Sequence, residues 1–392
     1  MLIPPQKMPA RVLSAAVVLT LASVLAGCGS GGDSSAAPLP ATNPFSTYDI
    51  ITLASGGGTV SSTGITADGK IAATIAMPDG SRHAYLYDGS SMIDLGTMGG
   101  NASEATGINK HGHVVGWVRF KDASHAFLYD GAMHDLGTLG GADSFAQGIN
   151  DNGQVTGRST AADGATRAFL YQNGTMEPVK SPGIGSAGWA INAGGQVAGD
   201  YVASDGSHHG FLSGICDCIQ LGTLGGAESI IYALNDAGQA AGAADTPQAQ
   251  RHAFLYKDAA LRDLGTLGGA GSSAAAINAG GKVVGKADTG NGDTQAFVYD
   301  GAALKALGLL SGRRSAASAI NASGLVVGFA TTATGEEHAI LWSESEGPVD
   351  LNQRIPGAPA GTVLKGAYAV SDNGSIVAGG NIGLVLLKKR AP

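Results

Sequence analysis

The chain has 392 residues, 63 of them glycine, with 44% hydrophobic residues, only 14% charged and a formal net charge of −8. That much apolar character excludes the low-hydrophobicity, high-charge signature of a disordered chain. The acidic balance leaves no electrostatic footprint for nucleic acid, and glycine at roughly twice its usual share of about 7% announces many turns.

In chain order, residues 1–27 read as an export signal. Lys7 and Arg11 form a positive n-region, and Val12 to Leu25 form an apolar stretch. That stretch falls short of the roughly 20 residues a bilayer span needs. Leu25-Ala26-Gly27-Cys28 resembles the bacterial lipobox. The resemblance implies that Cys28 is diacylated and becomes the new N-terminus. Two acyl chains anchor stably where one is marginal. Gly29, rather than Asp, follows Cys28, which resembles sorting to the outer membrane, on its periplasmic or its cell-surface side. Residues 28–47, rich in Gly, Ser, Ala and Pro, read as a flexible linker. The leader carries two basic and no acidic residues, so its removal makes the exported chain more acidic.

From residue 48 to 388 one text recurs. His125-Ala126-Phe127-Leu128-Tyr129-Asp130-Gly131 leads into Asp135-Leu136-Gly137-Thr138-Leu139-Gly140-Gly141, then Ser144, Ile149-Asn150 and Gly153. The first position recurs at His83, His125, Arg167, His209, His252, Gln295 and His338, 42 or 43 residues apart. A fixed period of that length marks a repeat architecture. In the second unit, strands are expected around Ala105 to Ile108, His113 to Val118, Ala126 to Tyr129 and Asp135 to Leu139. Asn109-Lys110-His111-Gly112 joins the first two as a tight hairpin, and the Asn-x-x-Gly pattern returns at Asn150, Asn192, Asn235, Asn278 and Asn321. Degenerate copies stand at Thr66–Gly69 and Ser371–Gly374.

Three hairpins per unit give a four-stranded antiparallel meander. Its third strand is apolar on both faces, so both faces are covered. The predicted fold is all-β, an eight-bladed β-propeller, with seven blades as the alternative. Tyr48 to Leu53 look like a fourth strand without its first three, and 366–388 like three strands without a fourth. The N-terminal strand is therefore expected to close the ring. Residues 389–392 form a tail, and the basic run Lys388-Lys389-Arg390 reads as solvated.

The His-Ala-Phe text, with Asp-Leu-Gly-Thr-Leu-Gly-Gly and Ile-Asn-x-x-Gly, resembles the bacterial extracellular HAF-repeat family. The resemblance covers nearly all of residues 48 to 388. It implies an exported repeat protein and no particular activity. The chain departs from the pattern at Arg167, at Gln295 and from Met176 to Gly183.

The repeated histidines are too far apart to share a metal and are expected to fix the loop before the third strand. Cys216 and Cys218 flank Asp217 in one unit only; a disulfide there would be strained. Metal binding with His208-His209 is set aside because the intervening strand separates the groups. Asp288 to Asp293 reads as a polar loop rather than a calcium site. No Gly-x-Ser-x-Gly elbow, His-Glu-x-x-His or phosphate loop is present. No catalytic residue, cofactor or metal is therefore expected.

Variation within the repeat is where function is sought. Counting back from the turn Asn, offset three holds Thr63, Thr106, Gln147, Trp189, Tyr232, Ala275, Ser318 and Tyr368. Offset five includes Glu104, Phe145 and Ile230; offset seven includes Asp143, Glu228 and Arg314. These alternate with small residues, so the variable side is expected to face the central channel. The candidate funnel is Glu104, Asp143, Phe145, Gln147, Trp189, Glu228, Tyr232, Arg314 and Tyr368. It would hold a glycan or peptide, or else plug the axis. The expected role is a lipid-anchored binding or scaffold module, monomeric and membrane-bound through Cys28, without a nucleic-acid partner. The alternatives are a carbohydrate-active hydrolase or lyase using funnel carboxylates, and a purely structural surface protein.

Overall fold

The structure, a computed structural model, describes residues 47–54, 60–77, 79–213 and 218–390. Cys28, the leader and Cys216 lie outside the described residues. Among these, the strands form eight four-stranded antiparallel units, which are the blades of a β-propeller. Their first strands are Val60–Ile65, Ala102–Ile108, Gly140–Ile149, Gly185–Ile191, Ser229–Leu234, Gly268–Ile277, Ser315–Ile320 and Leu364–Val370, for blades one to eight. Each first strand contacts the next, and that of blade eight contacts that of blade one. The first strands therefore line the axis.

Blade eight takes its outermost strand from the other end of the chain. Tyr48–Ala54 pairs antiparallel with Gly383–Lys389, from Tyr48 opposite Lys389 to Ala54 opposite Leu384. Tyr48 is 2% exposed.

The repeated residues do the same backbone work in each copy. Asn109 Oδ1 accepts from the His111 and His113 amides, while its Nδ2 donates to the Asn150 carbonyl of the next blade. Asn150 reaches Asn192, then Asn192 reaches Asn235, Asn235 reaches Asn278, Asn278 reaches Asn321, and Asn321 reaches Ser371. One polar side chain thus shapes its own hairpin and docks it on its neighbour.

The buried serines make a second clamp. Ser144 Oγ accepts from the Ala126 amide of the preceding blade and donates to the Gly137 carbonyl. Ser103, Ser229, Ser272 and Ser315 repeat both bonds.

Between these clamps lies the core. Phe127, Phe169, Phe211, Phe254 and Phe297 are completely buried, each burial contributing roughly 2 to 3 kcal/mol. Phe127 lies against Gly116, where a Cβ would sit 1.8 Å from the Glu104 carbonyl oxygen and 2.8 Å from the Phe127 ring.

Two local expectations change. The fourth strand of blade two is Met133–Asp135 and stops before Leu136. Gly137 turns the chain with φ +72°, its amide held by Asp135 Oδ1. Leu136, 5% exposed, drops into the core. In addition, each first strand carries a register irregularity at offset three. The pairing skips one residue between Ala105 and Gly107, Ala146 and Gly148, Gly188 and Ala190, and at the matching place in the other blades. The offset-three residue is the extra one of a β-bulge, which re-aims its side chain.

Candidate functional site

The motif histidines belong to the scaffold. Nδ1 of His83, His125, His252 and His338 lies 2.7 to 2.9 Å from a carboxylate oxygen of Asp94, Asp135, Asp263 and Asp350 in the same blade. The partner is the fourth strand, not the loop ahead of the third as expected. Each carboxylate also accepts the amide two residues on, at Gly96, Gly137, Gly265 and Asn352. Burial pushes the Asp94 carboxyl up, yet bonds from His83, the Gly96 amide and Tyr85 hold it below the ordinary carboxylate value. Where the pattern breaks, the bonding does too: Arg167 pairs with Asp163, and His209 meets Ser207. Cys218 opens a fourth strand, and burial raises its thiol pKa.

The nine funnel candidates fall into distinct surroundings. Glu104 pairs with Arg82 of the preceding blade at 3.1 Å. Asp143 Oδ1 accepts the Ser124 amide of the preceding blade at 2.8 Å. Glu228 pairs with Arg251 at 3.6 Å. Arg314 is exposed, its backbone bridged to Thr294. These four stand at the entry of their strands. Gln147, Trp189, Tyr232 and Tyr368 are half-buried bulge residues. The Trp189 indole N–H donates to Asp200 Oδ1 on the second strand of its own blade. The Tyr368 ring covers Gly366 and Gly379, and burial, with Glu337 adding, raises its phenol pKa. Trp189 and Tyr368 thus lie back over their own sheets.

A second variable position stands beside the first, one residue after a buried small residue of the second strand, glycine in blades two to seven and Ala73 or Ala378 in blades one and eight. It holds Thr74, Trp117, Arg158, Asp200, Ala243, Lys286, Phe329 and Gly379 in blades one to eight. Trp117 is opposite Glu104, and Arg158 is opposite Phe145. Blades two to four carry an aromatic and two charged groups there in succession; blades six and seven have Lys286 and Phe329, blade five alanine and blade eight glycine.

These side chains meet. The Trp117 and Phe145 rings are edge to face with centroids 5.5 Å apart. The Arg119 guanidinium lies 5.3 Å from the Trp117 centroid, and that of Arg158 lies 4.6 Å from the Phe145 centroid. Asp200 joins the set on blade four, accepting from Trp189 and lying 2.7 Å from His208 Nδ1. Burial lowers the Arg158 pKa, against the pull of Asp200 and Asp143. The result is a sector of aromatic faces, guanidinium groups and carboxylates across three adjacent blades. Such a set can stack on a ring and hydrogen-bond its substituents.

Two surface cavities stand away from this sector. One of about 190 Å³ is lined by Leu310, Glu346, Pro348, Val349, Asp350, Gln353 and Arg354. Another of about 300 Å³ lies between the hairpins of Asn152 and Ala193. Neither includes a funnel candidate. In the Asp288 to Asp293 loop, Asp288 accepts from Thr294 and Asp293 pairs with Arg313.

No family model matches the sequence, and no curated protein matches it. Solved structures match at the level of fold. The β-propeller domain of the Trilobed protease from Pyrococcus furiosus is 12% identical with a TM-score of 0.50, over 77% of this chain and 99% of that one. That domain is described by an open velcro topology, whereas here the two ends of the chain pair in one blade. A puromycin-hydrolyzing peptidase of Mycobacterium tuberculosis is 13% identical with a TM-score of 0.50, over 80% of this chain and 59% of that one. The protein belongs structurally with the β-propellers. At such identity the likeness carries the fold and nothing of the activity.

Proposed function

We propose that the protein is an exported, lipid-anchored HAF-repeat propeller that works as a binding module, taking a glycan or peptide in the sector of blades two to four. The lipobox at Cys28 supports the anchor, and the repeated text supports the family. One observation carries the binding reading. The repeated His, Asp, Ser, Asn and Phe are committed to holding strands and blades together, while Trp117, Phe145, Arg158, Trp189 and Asp200 break the repeat and cluster on one side of the ring. Residues needed only for folding recur in each copy; a ligand needs them in one place. The hydrolase or lyase reading has less support, because Glu104, Asp143 and Glu228 are each tied to a separate partner.

The full chain carrying Cys28→Ser, recovered in soluble form, is to be screened on glycan and peptide arrays. Binding to one class, lost in Trp117→Ala and Phe145→Ala at unchanged melting temperature, is the expected result. No binding, or binding indifferent to both substitutions, defeats the reading.

A further inference from the structure

Arg158 is a half-buried charge of the sector with no ion-pair partner among the described residues. Its guanidinium carries five N–H donors in a rigid fork. Among the described residues it has a ring contact with Phe145 and the long-range pull of Asp200 and Asp143, but no hydrogen-bond acceptor. The two carboxylates hold other donors. Asp200 takes the Trp189 indole and His208 on its two oxygens, and Asp143 takes the Ser124 amide. Burial works against the Arg158 charge. A half-buried guanidinium 4.6 Å from a ring centroid, with its donors unused, is arranged for a planar anion, which such a fork grips bidentately.

The surroundings narrow the class further. Trp117 and Phe145 offer aromatic surface beside Arg158, and a second guanidinium, Arg119, lies over Trp117. Around them stand the Glu104 and Asp143 carboxylates, each with one oxygen engaged, by Arg82 and by the Ser124 amide, and the other left to accept. A peptide side chain would want an apolar recess, yet the rest of this lining is charged or polar. A hydroxyl-rich ring with one apolar face finds both of its needs met, stacking below and acceptors at the edge. We propose that Arg158 recognises a carboxylate and that the ligand is an acidic saccharide of the uronate class, its sugar face against Trp117 and Phe145. This rests on the binding-module reading above and specifies its ligand.

The test uses the full chain with Cys28→Ser and calorimetric titration of galacturonate, glucuronate and mannuronate hexamers, each beside its carboxyl-reduced neutral counterpart. At least one acidic hexamer is expected to bind, with its neutral counterpart weaker by about tenfold or more. Arg158→Gln should level the two, and Arg158→Lys should restore part of the difference. Trp117→Ala should weaken both, since it removes stacking rather than charge. Melting curves of each variant separate a lost contact from a lost fold. Equal binding of acidic and neutral hexamers, or a preference untouched by Arg158→Gln, overturns the carboxylate assignment and leaves the binding module standing. Binding of peptides but of no saccharide in the panel overturns the saccharide class. No binding on either array removes the binding module itself.

Discussion

The Asn373 side chain donates to the carbonyl of Ala67, 2.7 Å away and 306 residues back along the chain. It repeats across the seam the bond that Asn152 makes to the Ala193 carbonyl between blades three and four. The seam is therefore held near the axis by this bond, and at the rim by Tyr48–Ala54 on Gly383–Lys389 with Arg390 on Asp49 at 2.6 Å.

Removing the rim strand should be costly. A deletion of residues 29–54 strips Tyr48–Ala54 and bares the row of donors and acceptors along Gly383–Lys389, a template for aggregation. A deletion of residues 29–44 leaves the strand in place. The first is expected to melt lower by about 10 °C or more, the second like the parent. Equal melting temperatures would show that the seam does not depend on this strand.

Alkali should act at the same seam. Burial, with Glu346 adding and Arg354 opposing, pushes the Tyr48 phenol up to about 12. Unfolded, the phenol ionises near its ordinary 10. Its contribution is thus fully present below pH 10 and is lost as pH rises through 12, because the unfolded chain releases its proton first. That difference is worth roughly 3 kcal/mol. Unfolding followed from pH 9 to 12 should show stability falling in the parent and a flatter course in Tyr48→Phe; parallel curves would refute the assignment.

The third expectation concerns acid and the His–Asp pairs. Asp94 lies below the ordinary carboxylate value, so the stability it adds is present above about pH 4 and drains as pH falls through its folded value. Asp94→Asn should lower the melting temperature at neutral pH and lessen its fall between pH 5 and 3. An unchanged slope would mean that the pair with His83 adds nothing.

The fold was legible because each repeated residue has one backbone task. Asn109 starts a turn and Gly112, at φ +86°, ends it, so spacing alone reveals the hairpin. The orphan strand from Tyr48 announced the closure for the same reason. Less legible was where the fourth strand ends. Asp135 to Leu139 looks like a strand by composition, and only the Asp135 bond to the Gly137 amide shows the chain turning away. The candidate site was half legible. Phe145 and Trp189 stood out on the first strand, but Arg158 and Asp200 sit across from Phe145 and Ala187. The neighbour across a strand pair follows from register, and the bulge at Gln147 or Trp189 slips that register by one. The unused signal was variation right after the recurring glycine of the second strand, as at Gly157-Arg158 and Gly199-Asp200.

Trp189 decides between a binding surface and a plug. Its indole holds Asp200, which is 8% exposed and also holds His208. Trp189→Ala therefore leaves a cavity and also strips a donor from a buried carboxylate. The combined cost is expected to be about 3 kcal/mol or more. Trp117 stands differently: among the described residues it holds no carboxylate and meets the Phe145 ring and the exposed Arg119. Trp117→Ala should cost clearly less, because it strands no buried charge. Paired with Asp200→Asn, the Trp189→Ala loss should shrink, since the stranded charge is gone; the double-mutant cycle reads that coupling directly. Denaturant titration of the two single variants and the double variant measures all three quantities. A large loss at Trp189 with a small one at Trp117 makes Trp189 a brace and Trp117 the ligand-facing ring. Large losses at both would make the whole sector a plug, and the binding reading would fall with it.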